Sequence, residues 1–524
     1  MHPATTNLGA YGSTENLIVR AAYSKRLAQA LAVVIAAVAV VNTWLFSSYA
    51  ATPIVQADAW YFIESFISHY YDHTLNFSEF FVQRGAGDHA QPIQKLVLLF
   101  HTRYFDMDFR VEGLIGVGFA TIVCFLVMSQ MPSGVDRSPR NIVSALLLGC
   151  IPAFWLSINA TNIYTWSLVT IGFSAQVFAC AFLLLYFRLA ESGNRAWLFP
   201  AAMALGFVID ELAIVAIAVA TLAALISGIA NWRRVAIATA ISIGGLLLAR
   251  VGLSMLAEEL GTSSTAIQVD RVDWSKLFSA DAWAGLAAPV SSSFIYIEHL
   301  QKWFPNSLNA ATATVTLFIA SLHVYFWASV YRMRLAGDRS RQFALAIGLM
   351  LLAYLLTLGI IVSRVPEFGW SYLYQPRYVV FYQIAMVAIL VLLHRRVVSR
   401  AAAWVSGRFE TLCIGGLAVM LLCSQFVISR SSWQLVPYLT PYWQNASFAL
   451  GSSVDHPEVR PEQCPASYDF CNYAPARRAA LVKALKDQNL NVFSPRFQAR
   501  NRLYPDANSI PGFNELEKSS VDKE

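Results

Sequence analysis

The chain has 524 residues, of which 56% are hydrophobic and 13% charged, with a formal net charge of +6. A soluble domain carries roughly 25% charged residues, and a water-exposed surface this apolar would self-associate, so a soluble globular protein is excluded. The basic residues recur in short clusters between apolar runs rather than in one patch, which excludes a nucleic-acid-binding surface and suits a protein that crosses a bilayer many times.

A helix needs about 20 apolar residues to cross a bilayer. About 26 mostly polar residues precede the first apolar run, Arg26 to about Tyr49. No small-residue cleavage site clearly follows that run, so it reads as a retained anchor behind a cytoplasmic tail. A polar external loop, residues 51–111, comes next. The second span starts near Glu112 and returns to Arg137 and Arg140. The third and fourth form a hairpin around Asn159 and Asn162 that comes back to Arg188 and Arg195. Two shorter apolar arms flank Ile209-Asp210-Glu211 and end at Arg233-Arg234. The seventh span, Val235 to Leu256, contains Arg250. A second external segment runs to Asn309. The eighth span leads to the basic loop Tyr331–Gln342, and the ninth ends near Val362 at the external stretch SRVPEFGWSYLYQPRY. The tenth returns to Arg395, Arg396 and Arg400. The eleventh, Leu412 to Ile428, delivers the tail outside. Every loop this count places inside carries at least two Lys or Arg, as the positive-inside rule requires.

The expected fold is therefore an all-α polytopic membrane protein of about eleven transmembrane helices. Residues 1–430 form the membrane module and 431–524 a small external cap. The tail segment PARRAALVKALKDQNLNVF reads as one amphipathic helix. Five of the seven cysteines lie in apolar runs and read as small hydrophobes. Cys464 and Cys471 lie close together in the polar tail, where a local disulfide competes with two free thiols.

The first external loop holds four of the nine histidines and many acids. Ile63, Phe66, Ile67, Tyr70 and Tyr71 recur at helical spacing, as do Ile93, Val97, Phe100 and Tyr104, with Pro92 suited to a first helical position. These predict two helices lying in the membrane interface, apolar face down. Asp58 opens the first; Asp88-His89, after Gly85-Ala86-Gly87, opens the second. Asp58 is either a general base or a helix cap. Glu64 is either its partner or a solvated side chain. Asp88 and His89 are either site residues or a capping pair. His69, His73 and His101 are too irregularly spaced to argue for a metal.

An acid shortly after the first transmembrane helix, in a large external loop with interfacial helices, resembles the type C glycosyltransferase superfamily (GT-C), whose members use sugars carried on polyprenyl phosphate or pyrophosphate. The matching residue is Asp58, in Gln56-Ala57-Asp58-Ala59-Trp60. The resemblance implies that Asp58 deprotonates or orients the acceptor. The adjacent acid pair common in the family is absent here, since Ala59 follows Asp58, so Asp58 acts alone, with Glu64 or with Asp88.

Three other features bear on the same chemistry. Asp210-Glu211 interrupts an apolar hairpin, and such acids could hold a divalent cation, bind an acceptor sugar, or form an ordinary polar tip. Arg250 lies within a span and needs an anionic partner, either a lipid phosphate or Asp210 or Glu211. Arg364, Arg377 and Tyr378 stand in the aromatic-rich external stretch, where Arg377 either grips phosphate or snorkels in an aromatic belt. An Arg-Tyr pair at this place is similar to what bacterial GT-C-like proteins show.

The resemblance and the residues together imply an enzyme of the bacterial inner membrane. It would transfer a sugar from a polyprenyl-phosphate-linked donor to a cell-surface glycan or lipid acceptor on the external face. A surface-polysaccharide polymerase or ligase shares that chemistry. A transporter would place its charged sites at mid-membrane, within repeated halves. No cofactor is implied with certainty beyond a divalent cation the acids could hold, and the remaining partner is the bilayer itself.

Overall fold

The structure, a computed structural model, describes residues 11–81, 92–131, 140–259, 273–398, 408–456, 458, 461, 464–465 and 468–506. Asp88, His89 and the glycines before them lie outside the described residues.

Helices make up all the regular structure among the described residues. Eight are long and apolar enough to cross a membrane: Arg26–Ala50, Phe109–Met128, Ser167–Ser192, Trp232–Leu256, Leu308–Leu335, Arg341–Phe368, Pro376–Val398 and Phe409–Asp455. Three shorter apolar helices, Asn141–Trp155, Arg195–Ile209 and Leu212–Ser227, fall where the third span and the two hairpin arms were expected. The multi-pass helical architecture is therefore present, with eight helices of spanning length where eleven were counted.

The helices pack around one of their number. Pro376–Val398 has 83% of its apolar window buried, against 22–44% in the other seven, so it is the axis of the bundle. The outer helices turn Val, Leu and Phe outward, among them Leu247, Leu317 and Phe426. Such faces suit hydrocarbon rather than water. Where two backbones must touch, glycine stands between them. A side chain at Gly116 would collide with the Thr170 carbonyl carbon at 2.5 Å.

The two ends of the bundle differ. One end carries short, basic connections held by polar ties. Arg395 binds Asp338 at 2.9 and 3.2 Å, and Arg341 reaches Glu191 at 2.8 Å. The buried Arg396 meets Glu410 at 2.7 Å and Ser329 at 2.6 Å. The Asp338 carboxyl is desolvated, but bonds from Arg395 and Ser340 outweigh that and hold it below the usual carboxylate range. The opposite end carries the long connections and the tail.

At that opposite end the tail does not stand alone as a cap. Residues of the first loop (Val55, Trp60, Ile63, Phe66) and of the tail (Trp443, Tyr468, Leu481, Phe497) share one hydrophobic core. The apolar face of the first loop helix, expected to lie on lipid, is covered by the tail instead. The reason is burial: Trp60, Ile63, Phe66 and Ile67 are each at most 3% exposed. The second loop helix, Pro92–Phe105, buries Val97, Leu98 and His101 but leaves Leu96, Phe100 and Tyr104 outward. Its expected single face, Val97 with Phe100 and Tyr104, is thus split between core and exterior.

Polar ties complete this loop–tail unit. Asn491 is fully buried and donates to the Pro53 and Met107 carbonyls at 3.0 and 2.7 Å. Asp108, also buried, accepts from Arg500 at 2.7 Å and Asn501 at 2.9 Å. A disulfide joins Cys464 to Cys471, with Cα atoms 6.3 Å apart. The tail segment expected as one helix is helical only over Pro475–Asp487, burying Leu481, Val482 and Leu485; Asn489 and Asn491 take left-handed φ values of 51° and 52° and end it before the separate turn Asn491–Phe493.

Candidate functional site

Asp58 precedes the helical turn Ala59–Phe62, and its side chain makes no capping bond to that turn. The residue before it, Ala57, has a left-handed φ of 49°, a conformation that non-glycine residues adopt only where surroundings impose it. The imposing contacts come from the tail. Tyr468 donates to the Val55 carbonyl at 2.8 Å. Trp60 packs on Phe470, ring centroids 5.1 Å apart. These two contacts flank Asp58 in the first loop and Asp469 in the tail, and bring Asp469 under the electrostatic influence of Asp58. Partial desolvation first, and the Asp58 carboxylate second, hold Asp469 above the usual carboxylate range.

Glu64, the expected alternative partner, is engaged elsewhere. Arg477 clamps it with bonds of 2.6 and 2.7 Å, while the guanidinium lies 4.9 and 4.1 Å from the Tyr61 and Tyr473 rings. The bonds to Glu64 raise the Arg477 pKa further.

Asp210 and Arg250 pair with each other, one of the two arrangements the sequence allowed. Asp210 is 5% exposed and has a φ of 49°, so the hairpin tip is a strained backbone held by an ion pair. Glu211 beside it is exposed. Phe207, one turn earlier, packs edge-on against Phe81 of the first loop at 5.8 Å, which brings this tip to the same end of the bundle as Asp58.

Arg377 lies at that end too. The Thr52 amide of the first loop bonds the Thr165 carbonyl at 2.9 Å, and the short helix Asn162–Thr165 in turn touches the turn Pro376–Tyr378. The Arg377 guanidinium donates to the Tyr372 hydroxyl and sits over the Tyr372 and Tyr378 rings at 5.6 and 5.3 Å. Its Nε is buried without a partner. Among the described residues no carboxylate lies within ion-pair distance of it. Among the described residues, Arg364 makes a loose contact with Glu367, at 3.9 Å.

Three groups thus stand at one end of the bundle: the sequence-derived Asp58 with Asp469, Asp210 with Arg250, and Arg377 and Tyr378 with Tyr372. Among the described residues no group of three His, Cys, Asp or Glu side chains could hold a metal ion.

Three polar features were missed in the sequence. Asp469 lies far from Asp58 along the chain, and no spacing rule connects them. Glu112 is fully buried at the start of a span, where Gln94 and His101 each reach it at 3.2 Å. A buried acid with two such neighbours is a fixed polar link between the loop helix and the span. Asn159 at the tip of the third-span hairpin donates to the Ser292 carbonyl at 3.0 Å and accepts from the Tyr296 amide at 2.7 Å. The Tyr296 hydroxyl then bonds the Tyr374 carbonyl at 2.8 Å, which ties the second external segment to the Arg377 stretch.

Comparison with known protein families, with curated proteins and with solved structures finds no match.

Proposed function

We propose that this chain is a type C membrane glycosyltransferase, moving a sugar from a polyprenyl-phosphate-linked donor to a glycan or lipid acceptor at the outer face of a bacterial inner membrane. The basic end of the bundle lies in the cytoplasm, by the positive-inside rule. The three short helices complete eleven crossings, so the amino terminus is inside and the tail outside.

The observation that carries the reading is Arg377. It is a guanidinium preorganised on two tyrosine rings, with no carboxylate within ion-pair distance among the described residues, at the same end of the bundle as Asp58. A cation so placed suits a phosphate leaving group. In the reaction, the acceptor hydroxyl attacks the anomeric carbon and its proton passes to the Asp58 carboxylate. The bond from that carbon to the phosphate oxygen breaks, and the phosphate keeps the electron pair under the Arg377 charge. A transporter is disfavoured because Asp58, Glu64 and Asp469 stand in the loop–tail unit rather than along a mid-membrane path.

The test is Asp58→Asn in purified protein reconstituted in lipid nanodiscs with a polyprenyl-phosphate sugar donor. Transfer falls by at least about 100-fold with folding unchanged. Wild-type rates in that variant remove the proposed base.

A further inference from the structure

The middle of a spanning helix is an expensive place for a polar side chain, and two neighbouring spans each put one there. His323 lies on Leu308–Leu335 and Tyr354 on Arg341–Phe368. At about 1.5 Å of rise per residue, each stands about 18–23 Å from either end of its helix. The His323 Nδ1 and the Tyr354 hydroxyl are 2.7 Å apart, and the Trp327 indole donates to the same hydroxyl at 3.3 Å. The His323 and Tyr354 rings stack, with centroids 5.6 Å apart and planes 24° from parallel. Trp327 leans on Tyr354 at 6.4 Å and 35°.

This aromatic seam faces hydrocarbon. Arg341–Phe368 packs its backbone against Pro376–Val398 and Leu212–Ser227, and long side chains bridge it to Leu308–Leu335 at this depth. Tyr354 is 36% exposed, Leu358 one turn further on is 51% exposed, and Val324 beside His323 is 71% exposed.

The protons of the cluster set what it can bind. Small hydroxyls on the same two helices turn back on their own backbone, as Ser321 does to the Phe318 carbonyl at 2.6 Å and Thr357 to the Ala353 carbonyl at 2.8 Å. The Tyr354 hydroxyl stands off its helix at the end of a ring and has no such outlet. The His323 Nε2 is buried without a partner. A proton there would be a stranded N–H, the rarer and costlier kind of orphan, so the ring proton belongs on Nδ1, aimed at Tyr354. The Tyr354 oxygen then accepts from His323 and Trp327, and its own proton is left to donate toward the bilayer. The ester carbonyls of ordinary glycerolipids lie at the edge of a hydrocarbon core about 30 Å thick, about 15 Å from this depth. An acceptor that reaches Tyr354 belongs to a molecule carrying its polar group within the hydrocarbon.

We propose that His323, Trp327 and Tyr354 form a binding site for a lipid-soluble quinone, whose ring lies on the aromatic seam and whose carbonyl oxygen accepts the Tyr354 proton. A quinone meets each demand of the site: a flat conjugated ring for the stacked faces, a carbonyl acceptor for the hydroxyl, and a hydrocarbon tail that keeps both at this depth. The site lies at mid-span, away from the end of the bundle that holds Asp58 and Arg377, and does not rest on the sugar-transfer reading.

The test is binding of decylubiquinone to the full-length protein in lipid nanodiscs, read by quenching of tryptophan fluorescence, with decylbenzene as the carbonyl-free competitor. Decylubiquinone gives a saturable quench that an equal concentration of decylbenzene does not displace. Tyr354→Phe keeps the ring and removes only the hydroxyl; it weakens the saturable binding at least about tenfold while leaving the melting temperature unchanged. Trp327→Phe lowers the amplitude of the saturable quench, because it removes the indole that touches the ring. Quenching that rises without saturation, or full displacement by decylbenzene, overturns the site. Unchanged affinity in Tyr354→Phe overturns the carbonyl contact on which it depends. A second copy of the chain is the rival occupant: light scattering that finds a dimer for the wild type and a monomer for Tyr354→Phe makes the seam a subunit interface and overturns the quinone.

Discussion

Arg477 and Glu64 stand 413 residues apart in sequence and meet through two parallel hydrogen bonds of 2.6 and 2.7 Å. The guanidinium lies over Tyr61 from the loop and Tyr473 from the tail, so one side chain fastens both segments. Arg477→Ala is expected to loosen the tail by about 1–2 kcal/mol, from the lost fork and stacking. Hydrogen exchange over Pro475–Asp487 is the measurement, and unchanged protection would dismiss the clamp. Glu64→Gln should loosen the same helix and leave the chemical step intact.

The Asp58–Asp469 pair gives the loop–tail unit a pH dependence with a defined sign. Asp469 has a raised pKa in the folded chain, so the fold favours its protonated form. That contribution is present below the ordinary carboxylate value and is lost as pH rises through the folded value. Docking of the tail should therefore weaken as pH rises above the ordinary carboxylate range, followed by limited proteolysis of the tail. Asp469→Asn should flatten the profile, whereas a persisting slope would place its origin elsewhere.

The Asp210–Arg250 pair holds a strained turn between two apolar arms. Asp210→Asn leaves the guanidinium without its counter-charge and is expected to cost about 2–3 kcal/mol. A double-mutant cycle with Arg250→Met measures the coupling. If the two substitutions add independently, the ion pair does not hold the hairpin.

The Cys464–Cys471 bridge closes a short loop containing Tyr468, Phe470 and Asp469. On a chain-entropy basis such a loop contributes about 2–3 kcal/mol. Reduction, or Cys464→Ser with Cys471→Ser, should release Tyr468 from Val55 and speed proteolysis between them. Equal proteolysis rates with and without reductant would leave the bridge no part in docking.

Much of the bundle was legible because lipid imposes length and apolarity on any helix that crosses it, and both are written in consecutive residues. Arg26–Ala50 and Arg341–Phe368 were visible for that reason. The lipid-facing assignment of Ile63, Phe66 and Ile67 failed because helical spacing reports an apolar face and not what covers it. Here the cover is a tail segment hundreds of residues away. Asp469 was invisible on the same ground. Arg377 was legible by contrast, since Arg, Tyr and Trp close to Pro376 mark a membrane boundary within a single short stretch. Tyr372 as its hydrogen-bond partner was not.

The shared core of the first loop and the tail constrains biosynthesis. Trp60, Ile63 and Phe66 leave the ribosome early, yet their covering partners follow some 413 residues later, as the Glu64–Arg477 separation measures. At about 5–20 residues per second the wait is on the order of tens of seconds. During that interval the nascent loop has an apolar surface without its native cover, which a chaperone or the bilayer surface would have to shelter. A chain cut short before Trp443 lacks the tail half of that core and leaves Trp60, Ile63 and Phe66 uncovered.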